Sequence, residues 1–248
     1  MHPHEYDSSM SILVVIPARS GSVGLPGKNF MLLHGKPLYM WAVDLALKIS
    51  GDVKICVSTD SESLLESKVP NTITYLKRPK ELSGADVIDQ PVLLHALNYY
   101  TRFGVDFDAV VMLQPTAPGR TLAEVNECIS KILVSSASAC WTVSPVPAKY
   151  NWLKQFQLDD MNCLANVVPQ TMPKRRQDLK QSFIRNGNCY AMSVKTIVDD
   201  PFLLGTEPKS LISEESMINI DDQQDFIEAQ LLLESKDGIF LSRVRGDS

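Results

Sequence analysis

The sequence predicts an α/β protein built on a Rossmann-like, mostly parallel β-sheet. Apolar runs typical of buried strands alternate with segments of helical periodicity, an order that favours parallel strands with right-handed crossovers. A glycine-rich loop follows the first apolar run directly, and open α/β sheets bind ligands at the carboxyl ends of their strands. The length of 248 residues suits one domain, which we place at residues 11–233.

The strands and helices are predicted from these patterns in chain order. Strands are expected at residues 12–16, 53–58, 73–76, 109–113, 138–143, 189–193 and 217–220. Helices are expected at residues 38–49, 61–68, 89–103, 122–134 and 223–233. Asp222 is suited to cap the last helix, because its carboxylate can accept backbone N–H groups of the first turn.

The alternation fails between residues 144 and 187, which we interpret as an irregular excursion within the domain. Prolines punctuate this segment, and Trp152, Phe156 and Leu158 indicate a short hairpin. Residues 1–10 and 242–248 are expected to be flexible tails.

Composition excludes several classes of protein. A net charge of −5 gives no support for a nucleic-acid partner. Five cysteines without C-x-x-C spacing favour reduced thiols and a cytoplasmic protein. The first ten residues lack the apolar segment of a secretory signal, and no apolar run approaches the roughly 18 residues of a membrane span.

The loop after the first strand carries the chemistry of a phosphate site. Its glycines allow the backbone to approach a ligand closely, and Arg19 and Lys28 supply two cations. Five residues separate Gly21 from Gly27 and Asn29 follows the lysine, so the P-loop spacing is absent. The loop therefore predicts a polyphosphate site of another kind, the alternative being a mobile surface loop.

Two further segments offer polar groups to the same edge of the sheet. Gln114 and Thr116 follow the strand at 109–113 and are suited to neutral hydrogen bonds with a sugar or base. Arg175 and Arg176 form a basic pair suited to a carboxylate. An ordinary strand-to-helix turn and a solvated basic loop are the respective alternatives.

Four motifs together resemble those of the acylneuraminate cytidylyltransferases, the CMP-sialic acid synthetases. Residues 16–29 match the signature I-P-A-R-S-G-S-K-G-L-P-G-K-N except at Val23, where the family has lysine. The segments Q-P-T-A-P-G-R, R-R-Q-D-L and I-N-I-D resemble family motifs, with Asn219 in place of an aspartate. The related CMP-Kdo synthetases usually have proline at the position of Asn29. The resemblance extends over residues 12–233.

The resemblance implies a nucleotidyltransferase of the nucleotide-sugar transferase fold type. Such an enzyme joins CTP to the anomeric hydroxyl of a nine-carbon 2-keto-3-deoxy sugar acid with Mg²⁺ and releases pyrophosphate. N-acetylneuraminic acid or a bacterial analogue such as legionaminic acid is the expected acceptor, with Kdo and pseudaminic acid as alternatives. The product would serve lipopolysaccharide or capsule synthesis. The excursion is expected to form a homodimer.

The resemblance also implies a role for each matching residue. Arg19, Lys28 and Asp221 are the expected catalytic residues, and the nucleotide ligands are Arg19, Ser22, Lys28, Asn29 and Arg78. The expected sugar ligands are Gln114, Thr116, Arg176, Gln177 and Asn186, with Arg175 or Arg185 as alternatives to Arg176 for the sugar carboxylate. Asp221 and Asn219 are the expected Mg²⁺ ligands, with Asp222 or Asp225 as possible compensating carboxylates. The changes at Val23 and Asn219 leave open a homologue that binds nucleotide without turnover.

Overall fold

The computed structural model describes residues 6–7, 9–22, 24–67, 70–167, 175, 179–213 and 218–235. In chain order its elements are β1 (Ser11–Pro17), β2 (Leu32–Leu33), β3 (Lys36–Pro37), α1 (Leu38–Ala46), β4 (Asp52–Thr59), α2 (Glu62–Leu65), β5 (Ile73–Lys77), α3 (Asp89–Thr101), β6 (Ala109–Met112), α4 (Leu122–Leu133), β7 (Ala139–Pro145), β8 (Phe156–Leu158), β9 (Leu164–Asn166), β10 (Phe183–Met192), α5 (Val194–Asp199), β11 (Pro208–Ile212) and α6 (Gln223–Ser235).

Seven of these strands form one sheet in the order β11-β7-β10-β6-β1-β4-β5. Every pairing is parallel except those of β10, which lies antiparallel between β6 and β7. The chain runs outward from β1 to β4 and β5, then returns to place β6 on the other side of β1. This reversal creates a switch point between β1 and β6, where sheets of this kind bind ligands. The predicted α/β fold with a mostly parallel sheet is confirmed.

Strand β1 shows why the sheet is covered on both faces. Ile12, Val14 and Ile16 pack into a core cluster that includes side chains of α1 and α4. Leu13 and Val15 point to the opposite face and pack with side chains of α3 and α5. Successive side chains of a strand alternate between faces, so a continuous apolar run is what a strand buried on both sides requires.

A third apolar cluster joins the two ends of the domain. Leu25, Leu33 and Leu38, from the region after β1, are buried against α6 and against Ile218 and Ile220. Asp222 caps α6 as predicted, its Oδ1 accepting the Asp225 backbone N–H at 2.9 Å. The Asp225 carboxylate in turn accepts the backbone N–H groups of Asp221 and Asp222. The carboxylates of Asp222 and Asp225 are thus both engaged in capping.

The prediction of a strand at residues 217–220 is wrong for the residues that the structure describes. Met217 lies outside the described residues, and residues 218–220 belong to no strand. Their alternating apolar pattern is satisfied by burial of Ile218 and Ile220 in the third cluster. The Ile220 backbone N–H donates to the Thr116 carbonyl at 2.9 Å, so the segment is held by a loop rather than by a sheet.

Several other bounds differ from the predictions. β10 begins well before residue 189 and contains an irregularity in register between Arg185 and Tyr190. β11 and α5 were not predicted; β11 is largely exposed and polar, so no apolar run marks it. The hairpin predicted within the excursion is present as the antiparallel pair of β8 and β9.

Some predicted features lie beyond what the structure describes. These include residues 242–248, most of residues 1–10, Val23, Arg176 and Gln177. None of the helices in the described part of the chain combines the length and apolar character that crossing a membrane requires.

Candidate functional site

A cavity of about 470 Å³ opens at the carboxyl ends of the central parallel strands. Pro17 ends β1, Arg78 follows β5 and Gln114 follows β6, so the loops after three parallel strands contribute to its wall. The predicted site residues that line this cavity are Arg19, Ser22, Lys28, Asn29, Arg78, Gln114, Thr116, Asn219 and Asp221. The structure therefore gathers residues that are up to two hundred positions apart at the switch point of the sheet.

Arg19 and Asn29 shape the glycine-rich loop. The Arg19 guanidinium donates through Nη1 to the carbonyl of Gly84, another residue of the cavity wall, at 3.0 Å. Asn29 is buried, and its Nδ2 donates to the Arg19 carbonyl at 2.9 Å. This hydrogen bond joins the two ends of the glycine-rich loop and fixes the backbone position of Arg19.

Lys28 links this loop to the segment before α6. Its Nζ donates to the Ile220 carbonyl and to Asp221 Oδ1, both at 2.9 Å. The lysine side chain is only 15% exposed, whereas that of Asp221 is 69% exposed. Gly24 permits the close approach of the two segments, because a Cβ there would lie 2.6 Å from the Asp221 carbonyl oxygen.

Asn219 leaves one oxygen without a partner. Its Nδ2 donates to Asp221 Oδ2 at 3.0 Å, while its Oδ1 is buried and receives no hydrogen bond from the described residues. A buried acceptor without a donor costs free energy unless a ligand or water satisfies it. This oxygen lies beside Gly187, where a Cβ would sit 3.4 Å from it and 2.9 Å from Gln114 Oε1.

Arg78 is a fixed, buried cation. It is 5% exposed; its Nε donates to Ser58 Oγ at 3.0 Å and its Nη2 to the Ser58 carbonyl at 2.9 Å. Burial lowers the pKa of Arg78 to about 10, so the guanidinium stays charged at neutral pH. The end of β4 therefore holds this side chain in one orientation beside the cavity.

Arg120 supports the same region from behind. It is buried, and its Nη2 donates to the carbonyls of Gln114 and Gly187. Burial lowers the pKa of Arg120 to about 10. The guanidinium thus ties the turn after β6 to the irregularity in β10, where Gly187 has a φ of 80° that favours glycine.

One predicted sugar ligand lies outside the cavity wall, and two others fall on residues that the structure does not describe. Asn186 is buried, and it donates to Ser144 Oγ at 3.0 Å and accepts the Asn188 backbone N–H. Arg176 and Gln177 lie outside the described residues, and the neighbouring Arg175 is exposed. The assignment of Asn186, Arg176 and Gln177 to the sugar stays a prediction.

Two charged residues of the cavity wall were not among the principal predicted ligands. Asp89 was not predicted at all, and Arg185 was given only as an alternative to Arg176. Asp89 begins α3, and its Oδ2 lies 4.0 Å from Nη1 of Arg185 on β10. Burial raises the pKa of Asp89, an effect that Arg185 and Arg78 oppose. The sequence could have indicated Asp89 by its position. It is an acidic residue at the start of a helix, after a loop at the ligand-binding edge of the sheet.

A metal ion would find few protein ligands here. Within the described ranges, no group of three or more histidine, cysteine, aspartate or glutamate side chains is arranged to hold one. The carboxylate of Asp221 and the amide of Asn219 both contribute to the cavity wall, with the amide nitrogen facing the carboxylate: Asn219 Nδ2 donates to Asp221 Oδ2 at 3.0 Å. That donor set suits a hard cation that takes its remaining ligands from phosphate and water.

Comparisons with known proteins agree with this geometry. A family model described as Cytidylyltransferase matches residues 13–86. The chain is 32% identical over 237 residues to a CMP-N,N'-diacetyllegionaminic acid synthase of Legionella pneumophila, covering 91% of this chain and 97% of the relative. It is 28% identical to an N-acylneuraminate cytidylyltransferase of Escherichia coli, covering 87% of this chain but 50% of that enzyme.

Solved structures share the fold, and one of them binds a cytidine nucleotide. It is a CMP:2-keto-3-deoxy-manno-octonic acid synthetase complexed with CTP, with a TM-score of 0.66 and 16% sequence identity. The likeness covers 91% of this chain and 99% of the other.

Proposed function

Because the chain belongs to the acylneuraminate cytidylyltransferase family, we propose that it transfers CMP from CTP to the anomeric hydroxyl of a nine-carbon 2-keto-3-deoxy sugar acid. Pyrophosphate is the second product. The acceptor is legionaminic acid, N-acetylneuraminic acid or a close analogue, since the relatives at 32% and 28% identity are named for such acids. The observation that carries the proposal is that Arg19, Lys28, Arg78, Gln114 and Asp221 line one and the same cavity.

The cations of this cavity can stabilise the negative charge of the leaving group, pyrophosphate. Negative charge develops on the pyrophosphate as its bond to the α-phosphorus breaks, and preorganised cations stabilise that charge. Arg19 and Lys28 are the residues we assign to the triphosphate, with Ser22 adding a hydroxyl. Lys28 is held by the Ile220 carbonyl and Asp221, so its ammonium is positioned before the nucleotide arrives.

Asp221 and Asn219 are the residues we assign to Mg²⁺. Both residues line the cavity; Asp221 offers a carboxylate, and the amide of Asn219, whose Nδ2 now faces that carboxylate, would have to turn its unpartnered Oδ1 toward a shared cation. When bound, Mg²⁺ would neutralise phosphate charge and make the α-phosphorus a better electrophile. Asp221 also accepts hydrogen bonds from Lys28 and Asn219, which fix its orientation in the ligand-free protein.

The remaining polar residues are assigned to the nucleoside and the acceptor. Asn29 and Arg78 help to place cytidine, and Gln114 and Thr116 bind the acceptor sugar. The sugar carboxylate is taken by Arg176, with Arg185 in the cavity wall as the alternative.

We further propose a homodimer formed by the excursion at residues 144–187. Its hairpin exposes Phe156, Leu158, Met161 and Leu164, each more than half accessible in the isolated chain. An exposed group of apolar side chains of this kind is typical of a protein interface. We place the reaction in the cytoplasm because it consumes CTP, and its product would serve surface polysaccharide synthesis.

The test is pyrophosphate release from CTP and Mg²⁺ with a panel of sugar acids. Turnover with a nine-carbon acid is the expected result. A preference for Kdo or pseudaminic acid would move the enzyme to the alternative substrate class. Binding of CTP without its consumption by any acid would establish a nucleotide-binding homologue, the reading that the neutral Asn219 favours.

A further inference from the structure

We propose that Arg120 is a positioning residue for the acceptor, because it holds the Gln114 amide in place against the irregular part of β10. This inference rests on the proposed function, which assigns Gln114 to the acceptor sugar. Arg120 itself is not among the residues that line the cavity. It therefore acts through Gln114 and not by touching a substrate.

The Gln114 side chain has no polar contact that fixes it. Gln114 lines the cavity, and its amide makes no hydrogen bond to any residue that the structure describes. Its position depends instead on the backbone at the end of β6 and on the surface against which the side chain packs. That surface is Gly187, where a Cβ would lie 2.9 Å from Gln114 Oε1.

Arg120 connects the backbones of these two residues. Its Nη2 donates to the Gln114 carbonyl and, at 3.4 Å, to the Gly187 carbonyl. A single nitrogen thus links the turn after β6 to β10 at the point where the Gln114 amide meets Gly187. The distance between the two segments is therefore set by the guanidinium.

The irregular part of β10 relies on side chains to satisfy its backbone. β10 pairs with β7 on either side of residues 186–189, and no described strand aligns with these four residues. Tyr190 Oη accepts the Gly187 N–H at 2.9 Å, and Arg120 donates to the Gly187 carbonyl. Without the guanidinium, this part of the strand would be free to shift relative to Gln114.

Stability alone does not explain a cation at this place. Arg120 is 4% exposed and forms no ion pair with a carboxylate in the described part of the chain. Its Nε and Nη1 are buried and have no hydrogen-bond partner there either. Burying a charge and two donors in this way costs free energy, which an apolar side chain of similar size would avoid. We therefore attribute the guanidinium to the two carbonyls that Nη2 holds.

The test is a double-mutant cycle in the pyrophosphate-release assay, with Arg120→Met and Gln114→Ala made singly and together. Arg120→Met keeps an unbranched side chain but removes every donor. We expect kcat/KM for the sugar acid to fall roughly ten- to a hundredfold while the KM for CTP stays unchanged, because small displacements of a positioning group are costly. In the Gln114→Ala background, Arg120→Met should have almost no further effect, since residues that act through one contact are not additive.

Thr142→Val is the matched control. Thr142 is buried, and its Oγ1 bonds to the backbone N–H of Cys189 at 2.9 Å and to the Cys189 carbonyl at 3.0 Å, on the same irregular part of β10. The substitution keeps the shape of the side chain and removes both bonds. It should lower the melting temperature but leave kcat/KM for the sugar acid largely unchanged. The same selective loss in Thr142→Val would show that general loosening of β10 is the cause, and the inference would be wrong.

Arg120→Lys keeps the inference testable should Arg120→Met fail to fold. Its ammonium retains the charge and can donate to one of the two carbonyls. We expect kcat/KM for the sugar acid to lie between that of the unaltered protein and that of Gln114→Ala, again with an unchanged KM for CTP. An equal loss for CTP and the sugar acid in either variant would overturn the inference.

The remaining outcomes separate this inference from the proposed function. If the effects of Arg120→Met and Gln114→Ala multiply, Arg120 does not act through Gln114, and the inference fails while cytidylyl transfer stands. If the unaltered protein releases no pyrophosphate with any sugar acid, the proposed function fails and the inference falls with it.

Discussion

Lys28 connects two parts of the chain that a nucleotide must also contact. Its ammonium is shared between a carbonyl and a carboxylate, both from the segment that precedes α6. A triphosphate entering the cavity would join this arrangement rather than have to order a free side chain, which lowers the entropic cost of binding.

Replacing Lys28 by Met tests its assigned role. We expect turnover to fall on the order of a hundredfold, because a preorganised cation is lost from the developing charge. Steady-state pyrophosphate release measures the effect. Lys54→Met, which removes an exposed lysine paired with Asp52 on β4, should leave the rate unchanged. Wild-type turnover in Lys28→Met would remove this lysine from the triphosphate site.

Asn219→Asp tests the assigned metal site. The substitution places a second carboxylate beside Asp221 and adds an anion where the structure has an unpartnered amide oxygen. We expect tighter Mg²⁺ binding and a larger rise in melting temperature on adding Mg²⁺ and CTP, measured by calorimetry and thermal unfolding. Unchanged Mg²⁺ dependence would show that position 219 does not contact the metal.

At the scale of single residues, the sequence predicts some residues of the cavity wall. It misses others because their positions depend on how distant strands pair. Arg19 and Gln114 lie within two residues of the ends of β1 and β6, and Lys28 belongs to the loop that follows β1, so their place at the edge of the sheet is encoded locally. The proximity of Asp89 to Arg185 depends on insertion of β10 between β6 and β7. Asn186 turns inward because the register of β10 shifts there, which no spacing in the sequence reveals.

Among the elements, the turn after α5 depends on one carboxylate. Asp200 accepts the backbone N–H groups of Phe202, Leu204 and Gly205 at 2.7–2.9 Å. These bonds lower the pKa of Asp200 in the folded protein. Its contribution to stability is therefore present above the unfolded pKa of about 4 and is lost as the pH falls through the lower folded pKa.

Asp200→Asn should accordingly destabilise the protein in a pH-dependent way. We expect its melting temperature to lie below that of the unaltered protein at pH 7, and the difference to shrink as the pH falls below about 4. Thermal unfolding followed by circular dichroism measures both. Asp106→Asn, at an exposed position without such bonds in the described structure, is the control. A difference that grows on acidification would contradict this account.

Elements with a strong apolar signal were predicted and those without one were not. β1 and β6 are buried on both faces and have continuous apolar sequences. β11 joins the sheet through backbone pairing with β7 while most of its side chains remain exposed, so its sequence resembles a loop. Residues 218–220 show the reverse case, in which a strand-like alternation is satisfied by packing alone.

On the scale of the whole molecule, the exposed apolar side chains of the β8–β9 hairpin have no explanation within a single chain. We expect Leu158→Asp and Leu164→Asp to weaken the proposed dimer on the order of tenfold or more, because each places a charge in an apolar contact. Light scattering coupled to size exclusion measures the mass. Phe202→Asp, at another exposed apolar residue outside the hairpin, should leave the mass unchanged. A monomer in the unaltered protein would contradict the dimer.

The third apolar cluster has a consequence for how the enzyme is made. The glycine-rich loop is synthesised well before its supports, because Leu25 and Lys28 depend on partners in residues 218–233. A nascent chain that has left the ribosome only up to α5 therefore has the cations of the loop but lacks the contacts that position them. We expect competence for nucleotide only after α6 has been synthesised and has docked.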